Sequence, residues 1–278
     1  MRDLEGRVAL VSGGASGIGR GITIALAGEG MRVVVADIER DAAKAVAAEL
    51  AASGAEAIAE VVDVSDVAAV EALAARCDER YGGVDVLCNN AGVVGHTPIG
   101  PESLDSWRWI LDVNLFGVVH AINTFVPRML ARVRETGGEA HIVNTSSLGG
   151  GLLAGDGWEI TAYRASKFAI VGMSRDLRAE LAGSGIGVTV LCPGGVETRI
   201  WQAGRNRPAE RGGPETWERP SRLEGERVIG PLEVGRRVLH AIRENALYAI
   251  THPERKHQVE AGARELLEAF DRAAETPV

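Results

Sequence analysis

The chain has 278 residues and a formal net charge of −8, and 46% of its residues are apolar. This composition excludes a disordered acidic protein, and the length suffices for one large domain with a substantial core. Because there is no basic tract and no apolar run of membrane-spanning length, we expect no nucleic-acid or membrane partner. Three separated cysteines in apolar surroundings, and no signal-peptide pattern at residues 1–5, predict a cytoplasmic protein without disulfides or a metal site.

Short runs of β-branched residues alternate with longer helical patterns through the first 195 residues. Strands are predicted at residues 7–11, 32–36, 57–62, 84–88, 140–144 and 187–191, and helices at 18–29, 40–52, 67–81, 103–135 and 162–182. Repeated βαβ units of this kind predict a parallel sheet covered by helices on both faces. With right-handed crossovers, the expected fold is α/β, doubly wound and Rossmann-like.

The alternation stops after Pro193 and resumes with a helix at 231–244, a strand at 246–250 and a helix at 255–274. The intervening residues 199–230 are rich in Arg, Glu, Gly and Pro, and so long an insert is more often a functional lid than a spacer. We therefore expect a single domain over residues 1–278, with a lid that closes on substrate through Ile200, Trp201, Trp217 and Leu223. Alternatively, the two tryptophans only anchor the lid to the core.

A glycine-rich turn joins the first predicted strand to the first helix, with the spacing Gly13-x3-Gly17-x-Gly19. Glycines let such a turn approach a pyrophosphate closely, and the N–H groups and dipole of the helix N-terminus receive its charge. A turn selected only for tight packing would contain the same glycines.

Asp37 ends the second predicted strand, 20 residues after Gly17. At this offset a carboxylate accepts hydrogen bonds from the adenosine ribose and repels a 2′-phosphate, which favours NAD over NADP. Arg40 is the one nearby cation that could oppose this preference. Alternatively, Asp37 only caps the following helix.

Tyr163 and Lys167 lie four residues apart in a predicted helix and therefore share one of its faces. A cation ~4 Å from a phenol contributes ~4 kcal/mol in a partly screened site, which lowers the phenol pKa by about three. We expect Lys167 to bring Tyr163 into the range of a general acid–base. The alternative is an amphipathic helix whose lysine extends to solvent. Ser146 and Ser147 close the preceding strand, where a hydroxyl could bind a substrate oxygen.

These motifs together resemble the short-chain dehydrogenase/reductase family. The matching residues are Gly13, Gly17, Gly19, Asp37, Asp63, Val64, Asn89, Asn90, Ala91, Gly92, Asn114, Ser146, Ser147, Tyr163, Lys167, Pro193, Gly194, Val196 and Thr198. The resemblance covers nearly the whole chain and implies a seven-stranded parallel sheet and a homotetramer built on helices 103–135 and 162–182. One departure is the segment at residues 149–160, about three residues longer than is usual in the family. It leaves open whether Ser146 or Ser147 faces the substrate, and we take Ser147.

The resemblance assigns roles to the matching residues. Tyr163 would be the acid–base and Ser147 the ligand of the substrate oxygen. Lys167 would lower the pKa of Tyr163 and hold the nicotinamide ribose, and Asn114 would position a water that links Lys167 to solvent. The dinucleotide would be bound by Gly13, Ser16, Gly17, Ile18, Gly19, Asp37, Asp63, Val64, Asn90, Ala91, Gly92, Tyr163, Lys167, Pro193, Gly194, Val196 and Thr198.

Four of these residues have structural alternatives when they are considered singly. Asp63 could cap a helix, Asn90 could form a turn, Asn114 could lie on a helix surface, and Thr198 could be an ordinary loop residue.

A finer resemblance concerns residues 126–129, 146–150, 245–248 and 252–254. These segments look like the branch that includes bacterial lignin Cα-dehydrogenases, which oxidise benzylic secondary alcohols of aryl ethers. We therefore predict an oxidoreductase that transfers hydride between NAD(H) and a secondary alcohol or ketone, an aryl or bulky apolar small molecule. One alternative is a catalytically idle NAD-binding regulator, against which the complete Asn-Ser-Tyr-Lys set argues, because a regulator needs only the cofactor half of the site. Another alternative is a dehydratase or epimerase that retains its NAD.

Overall fold

The computed structural model describes residues 1–153, 159–217, 225 and 227–275. Its strands are β1 Val8–Ser12, β2 Arg32–Asp37, β3 Ala57–Val61, β4 Val86–Asn89, β5 Ala140–Thr145, β6 Ile186–Cys192 and β7 Tyr248–Ile250. Its helices are α1 Gly17–Ala27, α2 Arg40–Ala52, α3 Val67–Tyr81, α4 Leu104–Leu111, α5 Gly117–Thr136, α6 Thr161–Glu180, α7 Pro231–Glu244 and α8 Lys256–Glu275.

All seven strands form one parallel sheet in the order β3-β2-β1-β4-β5-β6-β7. The expected α/β Rossmann-like fold with a seven-stranded parallel sheet is confirmed. The order reverses between β1 and β4, and at such a point the carboxyl ends of the strands open the crevice in which doubly wound folds bind ligands.

Each central strand contributes to two cores because successive side chains point to opposite faces of the sheet. Ala9 and Val11 of β1 pack with apolar residues of α1, α2 and α7 on one face. Val8 and Leu10 pack with residues of α3, α5 and α6 on the other face. Both faces are therefore covered, as the near-continuous apolar strands require.

The long helix expected over residues 103–135 is interrupted around Asn114, the residue that the family resemblance places at a break in it. A single π-helical turn, Asp112–Phe116, separates α4 from α5. The side-chain amide of Asn114, in this turn, donates a hydrogen bond to the Val93 carbonyl oxygen (2.9 Å) and accepts one from the Val93 N–H (2.8 Å). This tertiary contact overrides the local helical pattern, and π-helical turns are frequent at functional sites.

The same helical stretch, Pro101–Thr136, is long and apolar enough to cross a membrane, the one such helix among the described residues. This differs from the expectation that no segment reaches that length. Half of the apolar window is buried within the fold, and Phe125 and Met129 belong to the core between α5 and the sheet. Burial against the sheet therefore accounts for the apolar composition.

The crossing of α1 and α7 depends on two glycines. A Cβ added to Gly21 would collide with the Pro231 carbonyl oxygen, and one added to Gly235 would collide with the Gly21 carbonyl oxygen. This close approach positions α7, which leads into the edge strand β7. Beyond it, α8 buries none of its residues, and Leu266, Leu267 and Phe270 are exposed.

The region predicted to be a lid begins with two short 3₁₀ helices, Ile200–Asn206 and Ala209–Arg211. Leu223 lies outside the described residues, as does Trp158 in the long segment before Tyr163.

Candidate active site

The glycine-rich turn between β1 and α1 forms one wall of a large cavity. Gly13 and Gly17 have φ angles of +63° and +48°, which glycine adopts without strain. A Cβ at Gly17 would lie only 2.8 Å from Cγ2 of Thr198. In the fully described helix α1, the N-cap Ser16 makes no side-chain capping hydrogen bond, and the first turn has no acidic residue. The free N–H groups and the positive end of the dipole therefore suit an anion such as a pyrophosphate.

Gly19 and Ile18 differ in what they contribute to this wall. Ile18 lines the cavity, whereas Gly19 is not part of its lining. A Cβ at Gly19 would collide with the Gly13 carbonyl oxygen, so this glycine serves the packing of α1 against the turn.

Asp37 lies beside the turn at the carboxyl end of β2, and its side chain is buried. Its Oδ2 accepts a hydrogen bond from the Ala15 N–H and its Oδ1 accepts one from the Glu39 N–H, both at 3.0 Å. The N-cap of α2 is Glu39, so the alternative that Asp37 is the helix cap does not hold. Because each carboxylate oxygen has a second lone pair and Asp37 lines the cavity, it can still accept from ribose hydroxyls.

The adjacent wall comes from the segments after β3 and β4. Asp63, Val64, Asn90, Ala91 and Gly92 all line the cavity. Asp63 accepts two hydrogen bonds from Ser65, while Asp66 caps α3, so the helix-cap alternative for Asp63 does not hold.

Asn90 is tied to β1 rather than to its own turn. Its side-chain amide donates to the Ser12 carbonyl oxygen (3.1 Å), and its backbone N–H donates to the Ser12 hydroxyl (3.0 Å). Ser12, which the sequence reasoning did not single out, thus holds the segment that faces the cavity.

The end of β5 and the first turns of α6 bring the predicted polar residues together. Lys167 Nζ donates to the Thr145 carbonyl oxygen (2.9 Å) and lies 5.8 Å from the centre of the Tyr163 ring. Ser146 is committed to structure because its hydroxyl donates to the Lys167 carbonyl oxygen (2.8 Å). The Ser147 hydroxyl accepts from the Gly150 N–H (3.0 Å) and lies within hydrogen-bond reach of Tyr163. The geometry therefore favours Ser147 as the serine that faces the reacting group.

Burial controls the ionisation of both Tyr163 and Lys167. It raises the pKa of the Tyr163 phenol, and the Ser147 hydrogen bond and the Arg164 charge oppose that rise only in part. It also lowers the pKa of the Lys167 ammonium to about 8. The net shift of the Tyr163 pKa is therefore upward, because desolvation of the phenolate dominates, and the lowering of this pKa by Lys167 stays a prediction.

Asn114 lies behind the cavity wall and is fully buried, so the alternative of a surface helix residue does not hold. Besides holding Val93, its amide donates to the Ser166 hydroxyl (3.2 Å) on α6. A Cβ at Gly92 would lie 3.4 Å from Asn114 Oδ1 and 3.5 Å from Lys167 Nζ. Asn114 thus ties the Gly92–Val93 backbone to the helix that carries Tyr163 and Lys167.

The segment after β6 forms another wall of the cavity. Pro193, Gly194, Val196 and Thr198 all line it. The Gly194 N–H donates to the Thr251 hydroxyl (3.0 Å) at the end of β7, and a Cβ at Gly194 would lie 2.6 Å from Nδ1 of His252. Thr251 and His252, which directly follow the edge strand β7, therefore support this wall, and the local pattern around Pro193 does not reveal them.

The cavity has a volume of about 650 Å³ and extends from Asp37 past Tyr163 to an apolar end. That end is lined by Val113, Ile160, Ile200, Ala203 and two indoles, Trp109 and Trp201. Trp109 was not among the predicted site residues, because its position on α4 reads as part of an ordinary apolar helix face. Trp217 packs edge-on against Trp201, with ring centres 5.1 Å apart, and is not part of the lining.

A doubly wound α/β sheet with a glycine turn, a strand-end aspartate and a buried Tyr–Lys pair defines a dinucleotide-binding oxidoreductase. The family model for short chain dehydrogenases matches residues 7–209. The chain therefore belongs to the short-chain dehydrogenase/reductase family, which confirms the resemblance in its sequence.

Relatives extend over most of the chain. A 1-deoxy-11-beta-hydroxypentalenate dehydrogenase of Streptomyces avermitilis is 38% identical over 253 residues, covering 90% of this chain and 86% of the relative. A C alpha-dehydrogenase of a Sphingobium species is 34% identical over 269 residues, covering 94% and 85%. The solved structure of a Burkholderia phymatum short chain dehydrogenase/reductase in complex with NAD has a TM-score of 0.85 at 34% identity, covering 96% of this chain and 97% of the other.

The chain is thus an oxidoreductase that binds a nicotinamide dinucleotide and acts on the CH–OH group of a small molecule. The hydroxypentalenate dehydrogenase and the C alpha-dehydrogenase are both named as enzymes, so these relatives give no support to a catalytically idle NAD-binding regulator.

Proposed function

We propose that this oxidoreductase interconverts a bulky apolar or aryl secondary alcohol and its ketone with NAD(H). The observation that carries the proposal is one cavity lined by Tyr163 and Ser147 and by the indoles of Trp109 and Trp201. A substrate oxygen held at the polar pair leaves the rest of the molecule against aromatic walls, which favour apolar area. One relative is named for a hydroxypentalenate and another for a C alpha position, in keeping with reaction at a carbinol carbon.

Tyr163 is the proposed acid–base, and Ser147 holds the substrate oxygen beside it. Burial keeps the Tyr163 phenol protonated by raising its pKa, which is the state that donates a proton to a carbonyl oxygen in reduction. In oxidation the phenol oxygen takes the proton of the substrate hydroxyl. The nicotinamide, when bound, accepts hydride from the carbinol carbon in oxidation and returns it in reduction.

Lys167 supplies a buried positive charge beside Tyr163. With a pKa of about 8, its ammonium persists at neutral pH, where it stabilises negative charge that develops on the nearby phenol oxygen. The same ammonium is the proposed ligand of the nicotinamide ribose. Asn114 is proposed to position the water that links Lys167 to solvent, and its contacts with Val93 and Ser166 support that placement.

The dinucleotide is proposed to lie along the cavity from α1 to β6. Gly13, Ser16, Gly17 and Ile18 would receive the pyrophosphate, with Gly19 as their packing support. Asp63 and Val64 would contact the adenine, with Asn90, Ala91 and Gly92 beside the ribose and Pro193, Gly194, Val196 and Thr198 at the nicotinamide. The carboxylate of Asp37 would accept from the adenosine ribose and repel a 2′-phosphate, so NAD is preferred to NADP by at least about tenfold in kcat/KM.

Three further proposals concern organisation. We propose one domain over residues 1–278 in which residues 199–230 act as the lid, supported by Ile200 and Trp201 in the cavity lining. We propose a homotetramer built on α5 and α6, supported by exposed Phe116 and Phe168 beside and on these helices. We propose a cytoplasmic location, supported by three buried free cysteines. Light scattering at micromolar concentration tests the assembly, and a monomeric mass would overturn it.

The central experiment measures NADH formation with secondary alcohols of graded size, for wild type, Tyr163→Phe, Lys167→Ala and the control Tyr248→Phe. We expect Tyr163→Phe to lose at least about 100-fold in kcat with NADH affinity nearly unchanged, because only the titrating oxygen is removed. Lys167→Ala should lower both turnover and NADH affinity. Tyr248 is half-exposed on β7, outside the cavity, so its variant should match wild type. More than a few per cent of wild-type kcat in Tyr163→Phe would refute the acid–base assignment.

A further inference from the structure

The carboxylate of Glu39 accepts hydrogen bonds from three side chains in residues 199–206, more than 150 positions further along the chain. Its Oε2 accepts from the Arg199 guanidinium (2.8 Å), and its Oε1 accepts from Arg205 Nε (2.6 Å) and Asn206 Nδ2 (3.2 Å). These contacts lower the pKa of Glu39 to about 2, so it is ionised at neutral pH. Its side chain is three-quarters buried, which reduces the screening of the two ion pairs by solvent.

The cluster lies at the adenosine end of the proposed dinucleotide site. Glu39 follows Asp37 by two residues, and its own N–H donates to Asp37 Oδ1. Arg199 and Arg205 line the same cavity as Asp37. Arg40, the cation expected from the sequence to oppose the NAD preference, is exposed and is not part of that lining. The cations closest to this end are therefore contributed by the segment after Thr198.

We propose that Glu39 is a specificity-determining residue that withholds Arg199 and Arg205 from the 2′-phosphate of NADP. Guanidinium groups bind phosphate through paired, charge-assisted hydrogen bonds, so two free guanidiniums beside a ribose favour a 2′-phosphate. With Glu39 ionised, both guanidiniums are paired with its carboxylate. Without Glu39, the charge at this end of the cavity becomes more positive by one unit, and both guanidiniums lose this carboxylate partner. This inference rests on the proposed NAD preference and gives that preference a second cause. Asp37 repels the 2′-phosphate, while Glu39 occupies the two guanidiniums that would otherwise bind it.

The test compares wild type with Glu39→Gln and Glu39→Ala, using fluorescence titration of NADH and NADPH and calorimetry of two fragments, 5′-AMP and 2′,5′-ADP. We expect the ratio of NADPH to NADH affinity to rise about tenfold in both variants. Affinity for 2′,5′-ADP should rise by a similar factor relative to 5′-AMP, which shows that the gain depends on the 2′-phosphate and not on the nicotinamide end. Adding Arg205→Ala and Arg199→Ala to Glu39→Gln should cancel the gain.

A matched control is Glu49→Gln, which removes another carboxylate–guanidinium pair, Arg20 with Glu49 at 2.7 Å, on the exposed surface of α1 and α2 outside the cavity. This variant should leave both affinity ratios within twofold of wild type. Equal loss of NADH and NADPH affinity on removing Glu39, with an unchanged ratio, would mean that Glu39 only fastens the segment and would overturn the inference. A wild type that prefers NADP would refute the proposed NAD preference, whereas the change in ratio on removing Glu39 would still test this inference.

Discussion

Stability in mild acid should depend on one imidazole, that of His141 in β5. The ring is buried, and its Nε2 lies 2.8 Å from the hydroxyl of Thr189 on β6. The Thr189 hydroxyl donates its proton to the Ala246 carbonyl oxygen (2.7 Å), so His141 Nε2 must be the donor to Thr189. Burial, assisted by the N-terminal ammonium and the Arg178 charge, lowers the pKa of His141 to about 3. The native ring is therefore neutral.

The sign of the pH dependence follows from proton linkage. The unfolded chain binds a proton at His141 below about pH 6.5, whereas the native protein binds it only near pH 3. Because the unfolded state holds more protons in this window, the free energy of unfolding falls as the pH falls. The contribution of the neutral His141 to the free energy of unfolding is fully present above pH 6.5. Between pH 7 and 4.5, ~2.5 kcal/mol of this contribution is lost, at ~1.36 kcal/mol per pH unit below the unfolded-state pKa.

The assay is urea unfolding followed by circular dichroism from pH 7 to 4.5, for wild type and His141→Gln. A glutamine amide can still donate to Thr189 but does not titrate, so carboxylates common to both proteins cancel in the difference. We expect the advantage of wild type over the variant to shrink by ~2.5 kcal/mol across this range. A difference that stays constant with pH would refute the reasoning, since it would mean that His141 takes up its proton equally in both states.

Three further predictions concern packing, substrate and cofactor. Gly235→Ala should lower the free energy of unfolding by about 1–3 kcal/mol in urea titrations, because its Cβ would collide with α1. The control Gly262→Ala on exposed α8, where nothing lies within 4 Å of the added Cβ, should leave the free energy of unfolding unchanged or raise it. Equal effects of the two substitutions would contradict the packing argument. Trp201→Ala should raise KM about tenfold for a bulky aryl alcohol and less than twofold for a small aliphatic alcohol. Trp217→Ala should change each of these KM values less than Trp201→Ala does. If both variants changed KM equally for the two alcohols, the tryptophans would only anchor the lid. Asp37→Ala should narrow the ratio of kcat/KM for NAD over NADP by about tenfold, and an unchanged ratio would remove Asp37 from cofactor discrimination.

Features that depend on local spacing could be predicted from the amino-acid sequence. Alternating short and long periodicities place the helices Arg40–Ala52 and Val67–Tyr81 at their predicted bounds and most other elements within one or two residues. The offset from Gly17 to Asp37 and the four-residue spacing of Tyr163 and Lys167 are local too, because a βα unit or one helical turn fixes them. The parallel sheet and the main walls of the cavity follow from such patterns.

Which of these residues come into contact, and how they ionise, depends on the packing of segments that are distant in the chain. Ser146 and Ser147 are equivalent by position, and they differ only because α6 takes the hydroxyl of Ser146. The contacts of Glu39 with Arg205 and of Asn114 with Val93 join segments that no periodicity relates. Tyr163 shows the same limit, since the spacing to Lys167 predicts a lowered pKa, whereas the depth of burial raises it. Desolvation and long-range contacts arise only when the segments pack, so neither is encoded in the spacing of residues along the chain.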